Sequence, residues 1–229
     1  MASGRPAFIF DMDGTLVDNM AFHLQAWRLF FREQGVDITE DQVRAQAFGK
    51  TSEEILRAVL GDRLSLAQVA AYVERKEAIY RALYLPQMKP IPGLVDFLRE
   101  AHRLGIPMAV ATSAGMENIR LVLEGLGITS LFQVVVGADD VNKGKPDPEI
   151  YLTTARRLHI APERCLVFED AMLGLEAAYR AGMRAIAVAT SHAPHELQAL
   201  PAVIRVIADY RDIHPASILE RLQRGKGVA

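Results

Sequence analysis

The chain has 229 residues, half of them hydrophobic, and a formal net charge of −2 at pH 7. This length is enough for a sizeable core in one domain or one and a half. A net charge close to zero does not suggest a polyanion partner, so we expect no nucleic-acid binding. The one cysteine, Cys165, cannot form an intramolecular disulfide, and its apolar surroundings predict a buried thiol.

Membrane insertion and secretion are not expected from this sequence. No stretch approaches the roughly 18 apolar residues of a membrane span. The first residues also lack the apolar segment of a signal peptide. We therefore expect a cytoplasmic protein that does not bind membranes.

The first predicted element is the strand Ala7–Phe10, whose apolar residues indicate burial on both faces. Asp11, Met12, Asp13 and Gly14 follow it directly, and Gly14 indicates a turn. Alternation along an extended strand would place the two aspartates on one side, about 7 Å apart. Mg²⁺ could relieve the repulsion between their carboxylates. The pattern is equally compatible with an ordinary acidic turn.

Residues from about 19 to 85 show only helical patterns. The first helix is predicted from four apolar residues on one face, namely Met20, Leu24, Trp27 and Phe31. Three capping boxes predict the starts of later helices: Thr39 with Gln42, Thr51 with Glu54, and Ser65 with Gln68. Prolines at 86, 90 and 92 end this block.

From Gly93 onward, helices alternate with short apolar strands. The later strands are predicted at Met108–Ala111, Val134–Val136, 165–168, 185–188 and Val203–Ile207. This alternation is typical of an α/β fold with a mostly parallel sheet and helices on both faces. The purely helical block interrupts it, which predicts an inserted all-helical unit.

Polar residues follow four of these strands, where open parallel sheets form their sites. They are Asp11 and Asp13, then Thr112 and Ser113, then Lys145, then Glu169 and Asp170. This set suits phosphoryl transfer, which needs a nucleophile, a proton donor and charge neutralisation. Asp11 could attack phosphorus, and Asp13 could protonate the leaving oxygen and then activate water.

The remaining groups fit the same reaction. Thr112, predicted at a helix N-terminus, suits a phosphate oxygen, and Lys145 would offset charge between nucleophile and phosphate. Glu169 and Asp170 would complete a Mg²⁺ shell.

The sequence resembles the haloacid dehalogenase superfamily, in the subgroup that contains β-phosphoglucomutase and phosphoglycolate phosphatase. The matching motifs are Asp11-Met12-Asp13-Gly14-Thr15, Thr112-Ser113-Ala114, Lys145-Pro146-Asp147-Pro148 and Glu169-Asp170. The resemblance implies a Rossmann-like catalytic core, residues 1–18 and 88–229, with a helical cap at 19–87.

The resemblance also implies a role for each motif residue. Asp11 would be the nucleophile and a metal ligand, and Asp13 the acid/base, whose backbone carbonyl also meets Mg²⁺. Thr112 and Lys145 would bind phosphate beside Ser113 and Ala114, and Glu169 and Asp170 would serve the metal. Asp13 favours phosphate chemistry over dehalogenation, because a halide leaving group needs no proton.

The cap would select the substrate, a small phosphate ester. Its candidate contacts are His23, Trp27 and Lys50. Each has an ordinary alternative, since Trp27 also suits the cap core, His23 a surface histidine with its own partners, and Lys50 a solvated loop. We expect a monomer, as in many small capped enzymes of this kind.

Three functions remain open at this point. The related sugar-phosphate mutases hold a second phosphate with an arginine and a lysine, where this chain has Ser52 and Gly115. These differences favour a phosphatase, with a β-phosphoglucomutase-type enzyme as the alternative, since Lys50 could replace the arginine. A binding protein without turnover is disfavoured because every motif residue is present.

Overall fold

The computed structural model describes residues 6–47 and 51–223. The strands in this part of the chain are β1 (Ala7–Phe10), β2 (Met108–Ala111), β3 (Val134–Val136), β4 (Cys165–Glu169), β5 (Arg184–Val188) and β6 (Val203–Ile207). The α-helices are α1 (Met20–Glu33), α2 (Glu40–Ala47), α3 (Ser52–Leu60), α4 (Leu66–Tyr84), α5 (Leu94–Arg103), α6 (Met116–Gly125), α7 (Glu149–Leu158), α8 (Met172–Arg180), α9 (Pro194–Gln198) and α10 (Pro215–Gln223).

The chain divides into two compact units. One unit combines Met1–Asp18 with Lys89–Ala229, and the other is the continuous segment Asn19–Met88. The first unit is called the sheet unit here, and the second the helical unit. That the helical unit acts as a cap in catalysis stays a prediction.

The sheet unit is built on one sheet in the order β3-β2-β1-β4-β5-β6. Every pairing in it is parallel, and β1 lies between β2 and β4. Strands β2 and β3 thus extend the sheet on one side of β1, and β4, β5 and β6 then extend it on the other side. The predicted α/β class with a Rossmann-like sheet is confirmed.

Strand β1 is buried on both faces because its alternate side chains enter two different cores. Phe8 and Phe10 lie on an aromatic face, where Phe10 stacks on Phe168 with 4.5 Å between ring centroids. Ile9 belongs to the core on the opposite face, together with Val167 and Leu175. The continuous apolar run of β1 therefore reflects its central place in the sheet.

The helical unit has its own apolar core and well-capped helices. Its buried cluster is Leu24, Trp27, Phe30, Phe31, Val43, Ile55, Leu56 and Val69. The three predicted capping boxes are confirmed by reciprocal hydrogen bonds between side chains and backbone N–H groups at Thr39, Thr51 and Ser65. Each box satisfies N–H groups that the first helical turn leaves without intrahelical acceptors.

The structure departs from the sequence prediction after β1 and after β5. Strand β1 ends at Phe10, and the chain then turns, with Gly14 at φ +81° and its N–H bonded to the Val17 carbonyl. Strand alternation therefore does not relate Asp11 to Asp13. The segment after β5, for which no specific helix was predicted, contains the short helix α9.

The predicted burial of the Cys165 thiol is confirmed. The residue is 3% exposed, and burial raises the pKa of its thiol to about 12. Across residues 6–47 and 51–223, no helix combines the length with the apolar character that a bilayer crossing requires.

Candidate active site

Three buried carboxyl groups meet at the carboxyl ends of β1 and β4. Asp11 directly follows β1, and its backbone N–H donates to the Phe168 carbonyl of β4 at 2.9 Å. Glu169 is the last residue of β4, and Asp170 comes next. One oxygen from each carboxyl group lies within 4.8 Å of the others. The chain crosses from one half of the sheet to the other between these two strands, where open α/β sheets hold their ligands.

Lys145 connects two of these carboxyl groups. Its Nζ donates to Asp11 Oδ1 at 2.6 Å and to Glu169 Oε2 at 2.7 Å. The loop that carries Lys145 is tied to helix α7, because the Glu149 carboxylate accepts from the N–H groups of Asn142 and Lys143 at 3.1 and 3.0 Å. The lysine thus reaches the cluster from a braced loop and not from a mobile surface position.

Charge in this cluster is unbalanced. Burial, and then the charge of Glu169, raise the pKa of Asp11 well above its usual value, against the effect of Lys145. Burial would lower the pKa of Lys145, but Asp11 and Glu169 outweigh it and hold that pKa well above the usual value. Burial and Glu169 raise the pKa of Asp170 to about 8. One lysine cannot neutralise three ionised carboxylates, so the cluster favours a further cation.

The donor set fits a hard divalent cation. Carboxylate oxygens are the ligands that Mg²⁺ prefers, and it is commonly held by only one or two of them. Asp170 offers such oxygens beside the turn after β1, where Gly14 leaves room for it. A Cβ at Gly14 would come within 2.1 Å of Asp170 Oδ2. The residues present therefore fit a Mg²⁺ site.

Thr112 lies at the end of β2, next to β1 in the sheet. It is buried, its N–H donates to the Val136 carbonyl at 3.0 Å, and its hydroxyl accepts from the Ala114 N–H at 3.1 Å. It precedes α6 by four positions, so it lies in the loop before the helix and not at the helix N-terminus. Ser113 is exposed, while Ala114 and Asp13 are half-buried.

Hydroxyl groups that the sequence analysis missed complete the cluster. The Tyr151 hydroxyl of α7 donates to Glu169 Oε2 at 2.6 Å. After β5, the Ser191 hydroxyl donates to Asp170 Oδ2, and the Thr190 hydroxyl donates to the Gly14 carbonyl at 2.6 Å. Thr190 and Ser191 follow a strand end, so the same rule that selected Asp11 could have identified them.

The carboxylate of Glu169 lies against helix α8 at Gly174, which predicts an effect of adding one methyl group. A Cβ at Gly174 would come within 2.0 Å of Glu169 Oε2. We expect Gly174→Ala to lower the free energy of unfolding by about 1–3 kcal/mol through overpacking and to reduce activity by displacing Glu169. Urea denaturation and phosphate release would measure the two effects.

Gly144→Ala is the matched control, because a Cβ there meets no described atom within 4 Å. Equal unfolding midpoints for the two alanine variants would contradict this account of Gly174.

In the helical unit, the predicted contact residues His23 and Trp27 lie in packed surroundings. Trp27 is 3% exposed and stacks on Phe31 with 5.4 Å between ring centroids. The ring of His23 stacks on Tyr80 at 3.8 Å. Membership of the apolar core accounts for Trp27 by itself, and its substrate contact stays a prediction. Lys50 lies outside the described residues.

A buried lysine near His23 was not predicted. Lys76 is 3% exposed, and its Nζ lies 2.8 Å from His23 Nδ1 and 2.8 Å from Glu77 Oε1. Burial, and then the charge of Lys76, lower the pKa of His23 well below its usual value, which favours the neutral ring. The burial of Lys76 could not be predicted from the helical pattern, because a charged residue in a long helix is normally assigned to the solvated face.

A family model described as haloacid dehalogenase-like hydrolase matches residues 8–188. The fructose-1-phosphate phosphatase of Escherichia coli is 36% identical over 181 residues, which are 79% of this chain and 94% of that protein. A chloroplastic 5-amino-6-(5-phospho-D-ribitylamino)uracil phosphatase of Arabidopsis thaliana is 32% identical over 206 residues, 90% of this chain. The chain spans only 55% of the length of that plant protein.

Two solved structures resemble this one over nearly the whole chain. A family IA hydrolase of Entamoeba histolytica superposes with a TM-score of 0.88 at 26% identity, covering 95% of this chain and 99% of that one. The β-phosphoglucomutase of Clostridium difficile superposes with a TM-score of 0.80 at 25% identity, covering 96% and 98%.

The chain therefore belongs to the haloacid dehalogenase-like hydrolase family. It is an enzyme of this family, in which the two relatives named above are phosphatases, as the resemblance of its motifs predicted.

Proposed function

We propose that this enzyme is a Mg²⁺-dependent phosphatase that hydrolyses a small phosphate ester, such as a sugar phosphate, through an aspartyl-phosphate intermediate. The observation that carries the proposal is the position of the Lys145 ammonium, which bonds to both Asp11 and Glu169 while Asp170 lies in the same cluster. A buried carboxylate held beside a fixed cation suits attack on an anionic phosphoryl group.

In the first step, a carboxylate oxygen of Asp11 attacks phosphorus and forms a new P–O bond. The bond from phosphorus to the leaving oxygen breaks, its electron pair goes to that oxygen, and the Asp13 carboxylic acid supplies the proton. In the second step, water attacks phosphorus while the Asp13 carboxylate takes its proton. The P–O bond to Asp11 then breaks, and its electron pair restores the Asp11 carboxylate.

The remaining groups bind and neutralise the phosphoryl group. Lys145 holds positive charge beside Asp11, and Thr112, with Ser113 and Ala114 next to it, would bind a phosphate oxygen. Asp11 and Asp170 would hold Mg²⁺ with the backbone carbonyl of Asp13. When bound, Mg²⁺ would neutralise the charge shared by the carboxylates and the phosphoryl oxygens.

Named relatives support the substrate class. The similarity to a fructose-1-phosphate phosphatase favours a phosphorylated sugar or sugar-like metabolite. His23, Trp27 and Lys50 remain the predicted substrate contacts. The monomeric state and cytoplasmic location also stay predictions.

A β-phosphoglucomutase-type reaction is the second candidate, and the similarity to the Clostridium difficile enzyme favours it. Ser52 and Gly115 weigh against it, because neither can supply a cation to a second phosphate. Formation of glucose 6-phosphate from β-glucose 1-phosphate would support the mutase.

A phosphate-release screen with purified protein and Mg²⁺ tests the proposal. It would compare sugar phosphates, phosphoglycolate, nucleotides and pyrophosphate, with EDTA as the control. We expect steady release that requires Mg²⁺ and is fastest with a sugar phosphate. The absence of hydrolysis with every ester would contradict a phosphatase, and isomer conversion with little free phosphate would favour the mutase.

The raised pKa of Asp170 predicts how stability depends on pH without metal. Its pKa is about 8 in the folded state against 3.8 for the ordinary carboxyl group. The Asp170 carboxyl group therefore binds its proton more tightly in the folded than in the unfolded protein. The stabilisation that this proton contributes is present below about pH 4 and is lost as pH rises to about 8. We expect the urea midpoint in EDTA to fall across this range.

The Asp170→Asn variant is the control, because it cannot ionise at this position and should show a flatter dependence. Saturating Mg²⁺ should also reduce the wild-type decline, since it favours the ionised carboxylate. A wild-type midpoint in EDTA that rises from pH 5 to pH 8 would contradict this prediction.

A further inference from the structure

Four donors of the chain surround the carboxylate of Glu169. Its Oε2 accepts from Lys145 Nζ at 2.7 Å and from the Tyr151 hydroxyl at 2.6 Å. Its Oε1 accepts from the backbone N–H groups of Asp170 and Ala171 at 3.2 and 3.1 Å. A carboxylate offers about four lone-pair positions, so these bonds occupy its accepting capacity. Direct coordination of a metal by Glu169 would require one of these bonds to break.

Asp170 is surrounded differently, although it is the next residue. Its Oδ2 accepts from the Ser191 hydroxyl, and its Oδ1 lies 3.5 Å from the Thr15 hydroxyl, at the outer limit of a hydrogen bond. Both donors are neutral, and this carboxylate forms no ion pair with Lys145 in the cluster. Asp170 therefore keeps accepting capacity that a cation can use, and no cation in the described part of the chain is bonded to it.

We infer that the two neighbouring carboxylates have separate tasks, with Glu169 fixing Lys145 and Asp170 binding the metal. Tyr151 is then a positioning residue for Lys145, acting through Glu169, and Ser191 is a positioning residue for Asp170. This inference rests on the proposed function and departs from the expectation that Glu169 is a direct metal ligand.

Tyr151 is well placed for this role because it contacts both partners. Its hydroxyl holds Glu169, and its ring lies 5.1 Å from Lys145 Nζ in a cation–π arrangement. Tyr151 is fully buried in the core beneath the sheet. Phenylalanine would keep the ring and its packing and remove only the hydroxyl, so Tyr151→Phe isolates the bond to Glu169.

The test compares Tyr151→Phe and Ser191→Ala in the full chain. Two kinds of measurement are made. Steady-state kinetics give kcat and KM with p-nitrophenyl phosphate and with the best ester of the screen, and calorimetry without ester gives the Kd for Mg²⁺ alone. We expect Tyr151→Phe to lower kcat about tenfold and leave the Mg²⁺ Kd within about twofold of wild type. We expect Ser191→Ala to raise the Mg²⁺ Kd about tenfold.

Matched controls carry the same substitutions at exposed positions, Tyr179→Phe and Ser130→Ala, and should behave as wild type. Glu169→Gln is a second variant, which keeps an acceptor but removes the charge that fixes Lys145. We expect it to lower kcat while the Mg²⁺ Kd stays within about twofold, whereas a direct ligand would weaken metal binding about tenfold or more.

Equal weakening of Mg²⁺ binding by Tyr151→Phe and Ser191→Ala would overturn the separate tasks, and so would an unchanged kcat in Tyr151→Phe. A wild type that binds Mg²⁺ but hydrolyses no ester would contradict the proposed phosphatase alone. The calorimetric comparison would then still decide whether Glu169 contacts the metal. A wild type that does not bind Mg²⁺ would overturn the inference as well.

Discussion

Asp11→Asn should reduce phosphate release by at least about 1,000-fold, because the amide cannot serve as the attacking oxygen. Asp11 is buried, and the ammonium of Lys145 is 2.6 Å from its Oδ1. The asparagine has nearly the same shape, so the fold should persist. Phosphate release with Mg²⁺ measures the loss, and circular dichroism with thermal unfolding checks the fold.

The covalent step can be tested separately by mass spectrometry after acid quenching. The wild type should show the mass of one phosphoryl group on the peptide that contains Asp11, and Asp11→Asn should not. Asp139→Asn is the matched control, since this aspartate is exposed in the short 3₁₀ helix after β3 and its substitution should leave turnover within about twofold of wild type. More than a tenth of wild-type turnover in Asp11→Asn would contradict the covalent assignment.

Lys145→Met should affect both activity and stability. Lys145 is 9% exposed at its side chain and bonds to two buried carboxylates, which the substitution leaves without their cation. We expect a loss of about 100- to 1,000-fold in kcat/KM. We also expect a decrease of about 3–5 kcal/mol in the free energy of unfolding, the usual cost of breaking a buried ion pair.

Lys143→Met provides the control two residues away. The side chain of Lys143 is 74% exposed, so this variant should change the free energy of unfolding by less than about 0.5 kcal/mol. Urea unfolding of Lys145→Met should be measured with and without Mg²⁺. A metal cation should restore part of the stability lost with the lysine, because it also neutralises the carboxylates. If Lys145→Met unfolds at the wild-type midpoint, Lys145 does not hold the cluster together.

The strands of the sheet unit could be predicted from sequence because each is a short apolar run that ends in a polar or glycine-containing segment. Helix starts were predictable where a capping box marked them, as at Thr51 and Ser65. The short helix α9 was missed because its five residues are too few to show a helical period. The candidate acids and Lys145 were identified because they follow strands that share one edge.

Residues that act through contacts between distant parts of the chain could not be predicted in the same way. Tyr151 lies within the apolar face of α7. From the sequence pattern, a tyrosine in such a face is assigned to the core, whether or not its hydroxyl has a hydrogen-bond partner. Lys76 is buried with His23 and Glu77, an arrangement that depends on how α1 packs against α4. Sequence spacing within one helix does not contain that information.

The place of β1 in the sheet has a consequence for the order in which the protein folds. Phe8 pairs with Met108 on one side and with Leu166 on the other, so β1 has both neighbours only after most of the chain has been synthesised. The helical unit is one continuous segment between these partners, so its internal contacts join residues closer in sequence than β1 and β4 are. Local contacts form faster than distant ones. We therefore expect the helical unit to form early during synthesis. Strand β1 is synthesised before it, but becomes paired on both sides only late.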